Sequence, residues 1–354
     1  MNSSAAPCDL PPVDGDYMLD MTARLCRIPS PTGLTAAAVA ETRAAVEALG
    51  LAPVETVKGG LLVPLGGVGP GGRVLSAHLD TLGAMVKEIK SNGRLRLTAI
   101  GGYDWSTIEG EYCLVHTARR GEVGGTIVAT LASFHTHGQA LKDLKRDENG
   151  LEVRLDARLK SADDVRALGI GVGDFVSFDA RTTVTDGGYI KSRHLDDKAC
   201  VAILLGVAKA LSEAGRQPVV PAWLYVSVWE EVGHGTSSGL PAGIDEVIAV
   251  DMAAVGNGQT SDEHAVTVCV KDSTGPYHHG LSRRLVDLAE GAGIDCRVDI
   301  YNFYGSDVSQ ALRAGYDVRG ALVGPGVDAS HAYERLHRDS LVATARLLLA
   351  YLLA

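Results

Sequence analysis

The spacing of hydrophobic positions changes twice along the chain, and these changes divide the sequence into three regions that follow a polar start. Residues 1–14 are mostly small and polar and predict a loose tail. In residues 15–85, two amphipathic segments predict helices and a later apolar run predicts a buried strand. In residues 86–185, short alternating segments are separated by Gly, Asn or Asp, which is typical of a small β-barrel. In residues 186–354, apolar runs of strand length and helix length alternate again.

Strands that alternate with helices indicate an α/β sheet. The sequence therefore predicts one α/β domain built from residues 15–85 and 186–354, with the barrel of residues 86–185 inserted into it. The largely apolar segment from Ala199 to Leu211 predicts a buried helix. The strands expected in the α/β domain are 71–80, 222–229, 244–251, 265–270, 298–303 and 320–323. The other helices expected there are 16–27, 35–49, 281–292, 306–314 and 340–353.

Composition and charge narrow the class of protein. The 354 residues are enough for one large domain or two ordinary ones, and 46% hydrophobic residues supply a sizeable core. A net charge of −10 argues against nucleic acid or an anionic membrane as a partner. We see no apolar run of the roughly 18 residues that a membrane-spanning helix needs and no signal peptide. The six cysteines have no paired spacing, which favours reduced thiols in a cytoplasmic protein.

Several side chains that can bind metal ions stand at the ends of predicted strands or in the loops beside them. They are His78, Asp80, Asp196, Asp197, Glu230, Glu231, Asp251 and His331. An α/β fold places its site at strand ends and adjoining loops, so we expect these side chains to lie close together. Carboxylates and imidazoles suit a pair of divalent ions when at least one carboxylate is shared. Asp196 is the candidate for that shared ligand.

Taken alone, most of these residues also have a structural explanation. The Asp196–Asp197 pair could cap the following helix, and His331 could be an ordinary loop histidine. Glu230 and Glu231 could lie in a solvated loop, but adjacent glutamates at a buried strand end repel each other unless a cation is near. In the functional interpretation, one glutamate binds metal and its neighbour takes a proton from the water that the metal holds.

His78 and Asp80 are two residues apart, so on an extended strand both side chains point the same way. Asp80 can then accept the proton on the far ring nitrogen of His78, which orients the imidazole and raises its basicity. The alternative for this pair is an ordinary ion pair at a strand end, and the alternative for Asp251 is a turn carboxylate.

In order and spacing, these motifs resemble those of the tetrahedral aminopeptidases, family forty-two of the metallopeptidases. The motifs are His78-Leu-Asp80, Leu195-Asp-Asp-Lys198, Trp229-Glu-Glu-Val-Gly233, Asp251 and Ser330-His-Ala-Tyr-Glu334. The resemblance covers nearly the whole chain after the tail. It implies a zinc-peptidase-like three-layer α/β/α catalytic domain and a PDZ-like inserted barrel. It also implies that the barrel helps to assemble dimers into hollow dodecamers, so that the chain would be a homo-oligomer.

The resemblance also implies roles for individual residues. It implies two divalent ions, usually zinc or cobalt, and two ligand sets that share one carboxylate: His78, Asp196 and Asp251; Asp196, Glu231 and His331. It implies that Glu230 is the general base. The chain departs from the family at Asp196-Asp-Lys-Ala-Cys200, where Asp-Asp-Arg-x-Gly is common. The phrases 80–88, 192–198 and 327–334 look like a bacterial branch associated with the osmoprotectant N-acetylglutaminylglutamine amide.

The sequence and its resemblance therefore predict a cytoplasmic aminopeptidase that acts on peptides or small peptide-like amides. A bridging metal-hydroxide would attack the N-terminal amide bond, with Glu230 as the base. A dimetal amidase or deacylase acting on a small modified dipeptide is an alternative, because it would use the same chemistry. A non-catalytic assembly or metal-storage protein is another, which the Glu230–Glu231 pair disfavours. A glycosidase needs two opposed carboxylates but no histidine ligands, so His78 and His331 count against that class.

Overall fold

The computed structural model describes residues 10–354 and contains within them a 13-stranded sheet and a closed barrel. The helices are α1 (Gly15–Cys26), α2 (Ala36–Ala48), α3 (Phe134–His137), α4 (Gln139–Asp143), α5 (Ala162–Ala167), α6 (Leu195–Glu213), α7 (His279–Gly291), α8 (Asp307–Arg313) and α9 (Arg338–Leu353). The strands of the first half are β1 (Val54–Glu55), β2 (Leu61–Gly66), β3 (Arg73–His78), β4 (Gly83–Ile89), β5 (Leu95–Ile100), β6 (Tyr112–Thr117), β7 (Gly121–Ala129), β8 (Leu151–Leu155) and β9 (Phe175–Phe178). Those of the second half are β10 (Thr183–Val184), β11 (Tyr189–Ser192), β12 (Ala222–Ser227), β13 (Glu246–Val250), β14 (Ala253–Val255), β15 (Val266–Asp272), β16 (Gly275–Pro276), β17 (Cys296–Ile300), β18 (Arg319–Asp328) and β19 (Glu334–His337).

Parallel strands form the middle of the large sheet. Its order is β1-β2-β12-β3-β13-β18-β19-β11-β10, with β14 and β15 paired to β18, and β16 and β17 paired to β15. The four central strands, β12, β3, β13 and β18, all run in one direction. Both β3 and β13 are buried at every position, as expected for parallel strands covered on both faces. Their carboxyl ends therefore meet at one edge of the sheet.

Alternate side chains of the central strands enter two different cores. In β13, Ile248 and Val250 pack into one core, while Val247 and Ala249 pack into the other. Residues of α1, α2, α6, α7 and α9 line the first core, and Val308 of α8 lines the second. The predicted α/β class is confirmed, with a thick helical layer on one face of the sheet and a thin one on the other.

Helix α6 is the buried helix that the sequence predicted. Every residue from Leu195 to Ala208 is buried. The Lys198 ammonium group is also buried, and its Nζ donates to the carbonyl oxygens of Leu25 at 3.0 Å and Ile28 at 2.6 Å. Burial lowers the pKa of Lys198 to about 8. The favourable field at the C-terminus of α1 offsets part of this desolvation cost.

The predicted barrel is confirmed, and it closes in the order β4-β5-β8-β7-β6-β9 with antiparallel neighbours. It has its own apolar core, which includes Leu97, Val115 and Val153. Its strands span residues 83–178. Strand β10 lies beyond them and joins the large sheet through β11 and β19.

The start of the chain departs from the predicted loose tail where the structure describes it. Residues 1–9, including Cys8, lie outside the described residues. From there on the chain is packed: Leu10 and Val13 contact the main core, and the Asp14 carboxylate caps α1 by accepting from the Tyr17 amide at 2.9 Å. No disulfide joins the five cysteines of residues 10–354. Over the same residues, every helix is too short or too polar to cross a membrane.

Replacing Gly326 with Ala is expected to lower the free energy of unfolding by roughly 1–3 kcal/mol, as overpacked sites do. An added Cβ would lie 2.0 Å from the backbone oxygen of Asp262, so the backbone would have to move. Gly256→Ala is the matched control, because its Cβ would meet nothing within 4 Å. Urea denaturation of both variants measures the difference. Equal unfolding midpoints for the two variants would contradict the close backbone contact.

Candidate metal centre

The predicted ligands meet at the carboxyl edge of the central parallel strands. His78 is the last residue of β3, and Asp251 directly follows β13. Glu230 and Glu231 follow β12 in a short 3₁₀ turn. His331 lies in the loop after β18. Segments that are distant in sequence therefore converge because their strands are neighbours in the sheet.

Asp196 lies between the two histidines. Its Oδ1 is 3.1 Å from Nε2 of His78, and its Oδ2 is 3.2 Å from Nε2 of His331. One carboxylate therefore faces a different imidazole with each oxygen, which is the arrangement that a shared ligand requires.

The remaining predicted ligands complete two groups around Asp196. One donor atom each from His78, Asp196 and Asp251 lies within 4.8 Å of the others. On the other side, Oε2 of Glu231 is 3.9 Å from Nε2 of His331. The structure thus brings together both ligand sets that the resemblance implied.

The chain around Asp196 is held by a carboxylate outside these sets. Oε2 of Glu334 accepts from the amides of Leu195 at 2.6 Å and Asp196 at 3.2 Å, and its Oε1 accepts from the His331 amide at 3.2 Å. Glu334 therefore ties the segment of the shared ligand to the loop of His331. The pKa of Glu334 is raised to about 8, first by burial and then by the charge of Asp196.

The structure does not support a helix-capping role for the aspartate pair. Asp196 has non-helical backbone angles (φ −72°, ψ 104°), and no side-chain hydrogen bond caps the start of α6. Oδ2 of Asp197 instead accepts from the His78 amide at 3.1 Å. Asp197 therefore connects the start of α6 to the end of β3.

Asp80 differs from its predicted role. Nδ1 of His78 lies 2.9 Å from the backbone oxygen of Asp80 and 3.6 Å from its carboxylate, so the backbone makes the hydrogen bond. The carboxylate accepts from the amides of Glu230 at 3.1 Å and Glu231 at 3.3 Å, and from the Thr32 hydroxyl at 2.7 Å. The prediction failed because β3 ends at His78, so the alternation of a strand does not extend to Asp80.

The glutamate turn presents two different carboxylates to the site. Oε2 of Glu230 lies 3.9 Å from Nε2 of His78, and its Oε1 accepts from the side-chain amide of Gln310 at 2.7 Å. Oε1 of Glu231 is buried and has no hydrogen-bond partner among residues 10–354. A buried carboxylate oxygen without a donor is costly, and a divalent cation would satisfy it. The donor set therefore fits metal ions.

Burial also changes the protonation of this cluster. Desolvation, followed by the charge of Asp196, raises the pKa of Glu231 to about 8 and that of Asp251 to about 7. Burial opposes ionisation of Asp196, but hydrogen bonds from His331 and His78 hold its pKa well below the usual range. Burial likewise opposes the charge on His331, yet its hydrogen bond with Asp196 raises its pKa to about 10. A cation that binds here would therefore have to displace protons from these groups.

The barrel contributes to this centre through the loop after β5. The backbone oxygen of Gly102 accepts from Nδ1 of His331, which leaves Nε2 to face Asp196. The loop carrying His331 has left-handed backbone at Ala329 (φ 57°) and at His331 itself (φ 62°). Such angles are uncommon outside glycine and concentrate at functional sites. The inserted barrel is therefore part of the surroundings of one predicted ligand.

The centre opens into a cleft of about 590 Å³. Away from the ligands, neutral polar side chains line much of it, and Arg313 adds a cation: Gln259, Ser273, Thr274, Asn302, Gln310 and Arg313. The Tyr304 hydroxyl donates to the backbone oxygen of Met252 at 2.8 Å, and Phe303 is fully exposed. The site is thus an accessible acidic pocket with hydrogen-bonding walls.

Sequence reasoning missed Asp307 and Gln310 of α8. Asp307 is buried and accepts hydroxyl hydrogen bonds from Ser76 at 2.5 Å and Ser227 at 2.8 Å. From the sequence alone, both residues look like ordinary members of a short helix. The one available signal was an acidic residue in the first helical turn, and that signal normally indicates helix stabilisation.

A second cluster of possible metal ligands lies outside the cleft at the start of α9. His264, His337 and Asp339 bring one donor atom each within 4.8 Å of the others. His337 is already engaged, because its Nδ1 accepts from the Asp339 amide at 3.1 Å and its Nε2 contacts the Gly187 oxygen at 2.9 Å. We therefore assign His337 to capping of α9.

Comparisons with known proteins identify the family that the chain resembles. A family model described as M42 glutamyl aminopeptidase matches residues 59–347. The Bacillus subtilis (strain 168) protein YhfE, named for an inferred aminopeptidase activity, is 46% identical over 334 residues, which cover 94% of this chain and 96% of the relative.

Solved structures resemble the chain over nearly its whole length. A TET aminopeptidase from the marine sediment archaeon Thaumarchaeota archaeon SCGC AB-539-E09 has a TM-score of 0.86 at 16% identity, covering 95% of this chain and 96% of that one. The Pyrococcus horikoshii TET1 peptidase, described as assembling into a tetrahedron or a large octahedral shell, has a TM-score of 0.83 at 22% identity, covering 95% and 99%. At these identities, the likeness concerns the fold alone.

Zinc binding is expected to release protons at neutral pH, with an affinity that rises with pH. The metal-free protein has pKa values of about 7 for Asp251, about 8 for Glu231 and about 10 for His331, so a cation must displace protons from these groups. Calorimetric titration in buffers of different ionisation enthalpy measures the number released. His264→Ala, in the surface cluster, is the control and should release the same number. A binding heat that is independent of the buffer would contradict the raised pKa values.

Proposed function

This chain belongs to the M42 glutamyl aminopeptidase family, and on that premise we propose that it is a two-metal aminopeptidase. Its substrates are peptides or small peptide-like amides with a free N-terminus. The observation that carries this proposal is the position of Asp196, whose two oxygens lie 3.1 Å and 3.2 Å from the imidazoles of His78 and His331. A carboxylate in this position would be able to hold two ions at once.

The proposed ligand sets are those implied by the resemblance: His78, Asp196 and Asp251 for one ion, and Asp196, Glu231 and His331 for the other. When bound, two divalent ions, with zinc or cobalt favoured, would polarise the scissile carbonyl and lower the pKa of the attacking water. The buried, unpartnered Oε1 of Glu231 supports this assignment. Around the ligands, Glu334 and Asp80 hold the segments that carry them.

Glu230 is the proposed general base. Its Oε2 lies 3.9 Å from Nε2 of His78, next to the ligands but outside both proposed sets. Burial raises the pKa of this carboxyl well above its usual value, which suits a group that must take up a proton near neutral pH. Glu230 takes the proton of the attacking water and passes it to the leaving amine. Asp80 fixes the backbone of the turn from which Glu230 acts.

The family of the chain supports a substrate with a free amine, because its model is described as an aminopeptidase. Asp196, Glu230, Glu231 and Asp251 place four carboxylates at the floor of the cleft. Two divalent ions would balance the charge of this group, so we assign the preference for an N-terminal residue to the family and not to the charge of the cleft.

We also propose that the chain acts as a homo-oligomer in the cytoplasm. The Pyrococcus horikoshii TET1 peptidase is described as assembling into a tetrahedron or a large octahedral shell, and the chain shares its fold over 95% of its own length. The barrel of residues 86–185 is the proposed assembly region. The five free cysteines of the described residues support a reducing compartment.

A second candidate is an amidase or deacylase that acts on a blocked dipeptide amide. The uncharged amide and hydroxyl groups on the cleft wall favour it, because they can hydrogen-bond to the amides of such a substrate. Asn302 and Thr274 are two of these groups. The resemblance to the osmoprotectant-associated branch points to the same class of substrate.

Glu230→Gln is expected to retain the metal and to lose roughly 10²–10⁴-fold in kcat, since it removes general-base catalysis alone. Asp196→Ala is expected to lose both activity and metal, because it removes the shared ligand. Elemental analysis of the two variants, with kcat measured under saturating metal, separates these outcomes. Turnover by Glu230→Gln equal to that of the parent protein would rule out the general-base role.

Removing metal with a chelator is expected to abolish hydrolysis, and adding zinc or cobalt is expected to restore it. The assay panel contains aminoacyl amides with a free amine, N-acetylated dipeptide amides and acetyl-amino acids. Restored release from the free-amine members is the expected result and establishes an aminopeptidase. Restored release from the blocked dipeptide amides alone would replace it with the second candidate. If metal restored activity on no member, both proposed activities would fail for these substrates.

A further inference from the structure

Helix α8 contacts the turn that carries Glu230, the proposed general base. Hydrogen bonds to Asp307, the first residue of the helix, hold it in this position. The buried Asp307 carboxylate accepts from the hydroxyls of Ser76 in β3 and Ser227 in β12. It also accepts from the Thr236 amide at 3.1 Å, on the far side of the glutamate turn. The helix is therefore bonded to two of the strands that end at the site and to the loop that follows the glutamate turn.

The chain after the turn approaches α8 too closely for any side chain. At Gly235, an added Cβ would lie 2.1 Å from Oδ1 of Asp307. This contact requires glycine. It brings the Gly235 amide next to the side chain of Gln310, one turn further along the helix.

Gln310 connects that amide to the proposed base. Its Oε1 accepts from the Gly235 amide, and its Nε2 donates to Oε1 of Glu230 at 2.7 Å and to the Glu230 backbone oxygen at 3.2 Å. Although the oxygen and nitrogen of an amide look alike, the partners here fix the orientation. The Gly235 amide can only donate, so the carbonyl oxygen faces it and the NH₂ group must face Glu230.

We infer that Gln310 is a positioning residue for the reaction, holding one oxygen of Glu230 so that the other stays directed at the metal centre. The tied oxygen is Oε1, at 2.7 Å from Gln310, and the free oxygen is Oε2, at 3.9 Å from Nε2 of His78. Gln310 touches none of the proposed metal ligands through a hydrogen bond. This inference rests on the proposed function, because it assigns Gln310 a role only through Glu230.

The bonds of Gln310 can be separated by substitution. Gln310→Glu keeps an acceptor for the Gly235 amide but replaces the donor to Glu230 with an oxygen. Gln310→Met has a similar length and removes both interactions. Gln139→Glu is the matched control, since the Gln139 amide also donates to a carboxylate, that of Asp143 at 2.7 Å, but lies in α4 outside the cleft.

Both Gln310 variants are expected to lose roughly 10–100-fold in kcat, the range typical of residues that orient a functional group by a hydrogen bond without touching the substrate. KM and metal content of Gln310→Glu should stay at parent values, and Gln139→Glu should keep its kcat. In a Glu230→Gln background, Gln310→Glu should cause no further loss, because the group that it positions is already gone.

Two results of these measurements would contradict the role of Gln310 as a positioning residue. If Gln310→Glu keeps the parent kcat while Gln310→Met loses it, Gln310 acts only by holding Gly235. An equal loss from Gln310→Glu with and without Glu230 would also exclude a role through the base. The turnover of Glu230→Gln alone is measured in the same cycle. If it equals that of the parent protein, the proposed role of Glu230 has failed; if it is low, the failure concerns Gln310 alone.

Discussion

The structure depends above all on a concentration of buried negative charge that its own side chains cannot neutralise. Asp196, Glu231 and Asp251 are held together at the end of a parallel sheet with only two imidazoles between them. Burying each additional ionised carboxylate costs desolvation free energy unless a cation or a proton neutralises its charge. The carboxylates repel one another when they are ionised. They are held together by the converging strands, by the left-handed loop that carries His331 and by the hydrogen-bonded turns around them.

Three carboxylates outside the ligand sets hold the backbone in place. Asp80 fixes the turn of the two glutamates, Glu334 ties the loop of His331 to the start of α6, and Asp307 bonds α8 to two strands and a loop. Their main partners are backbone amides or hydroxyls, which do not depend on a neighbouring charge. The segments that carry the site residues are distant in sequence, and these hydrogen bonds fix their relative positions. They do so without the long, flexible side chains that salt bridges use.

Much of this could be predicted from the sequence, because the period of apolar positions is a local property. The buried α6, the barrel and the α/β order follow from such patterns, and the ligands stood out because strand ends are where this class of fold carries its sites. The role of Asp80 was wrong because it depended on where β3 stops. Gln310 and the packed start of the chain could not be found, because their partners are set by tertiary contacts between segments far apart in sequence.

The hydrogen bond from His331 to Gly102 has a consequence for how this architecture can change in evolution. Inserted domains are often treated as modules that can be exchanged between relatives while the host domain stays intact. Here the insertion supplies a carbonyl oxygen that orients an imidazole of the host. A barrel taken from another lineage would have to bring a loop of the same shape, or the host would keep its fold and lose the orientation of one proposed ligand. The two parts are therefore constrained to diverge together.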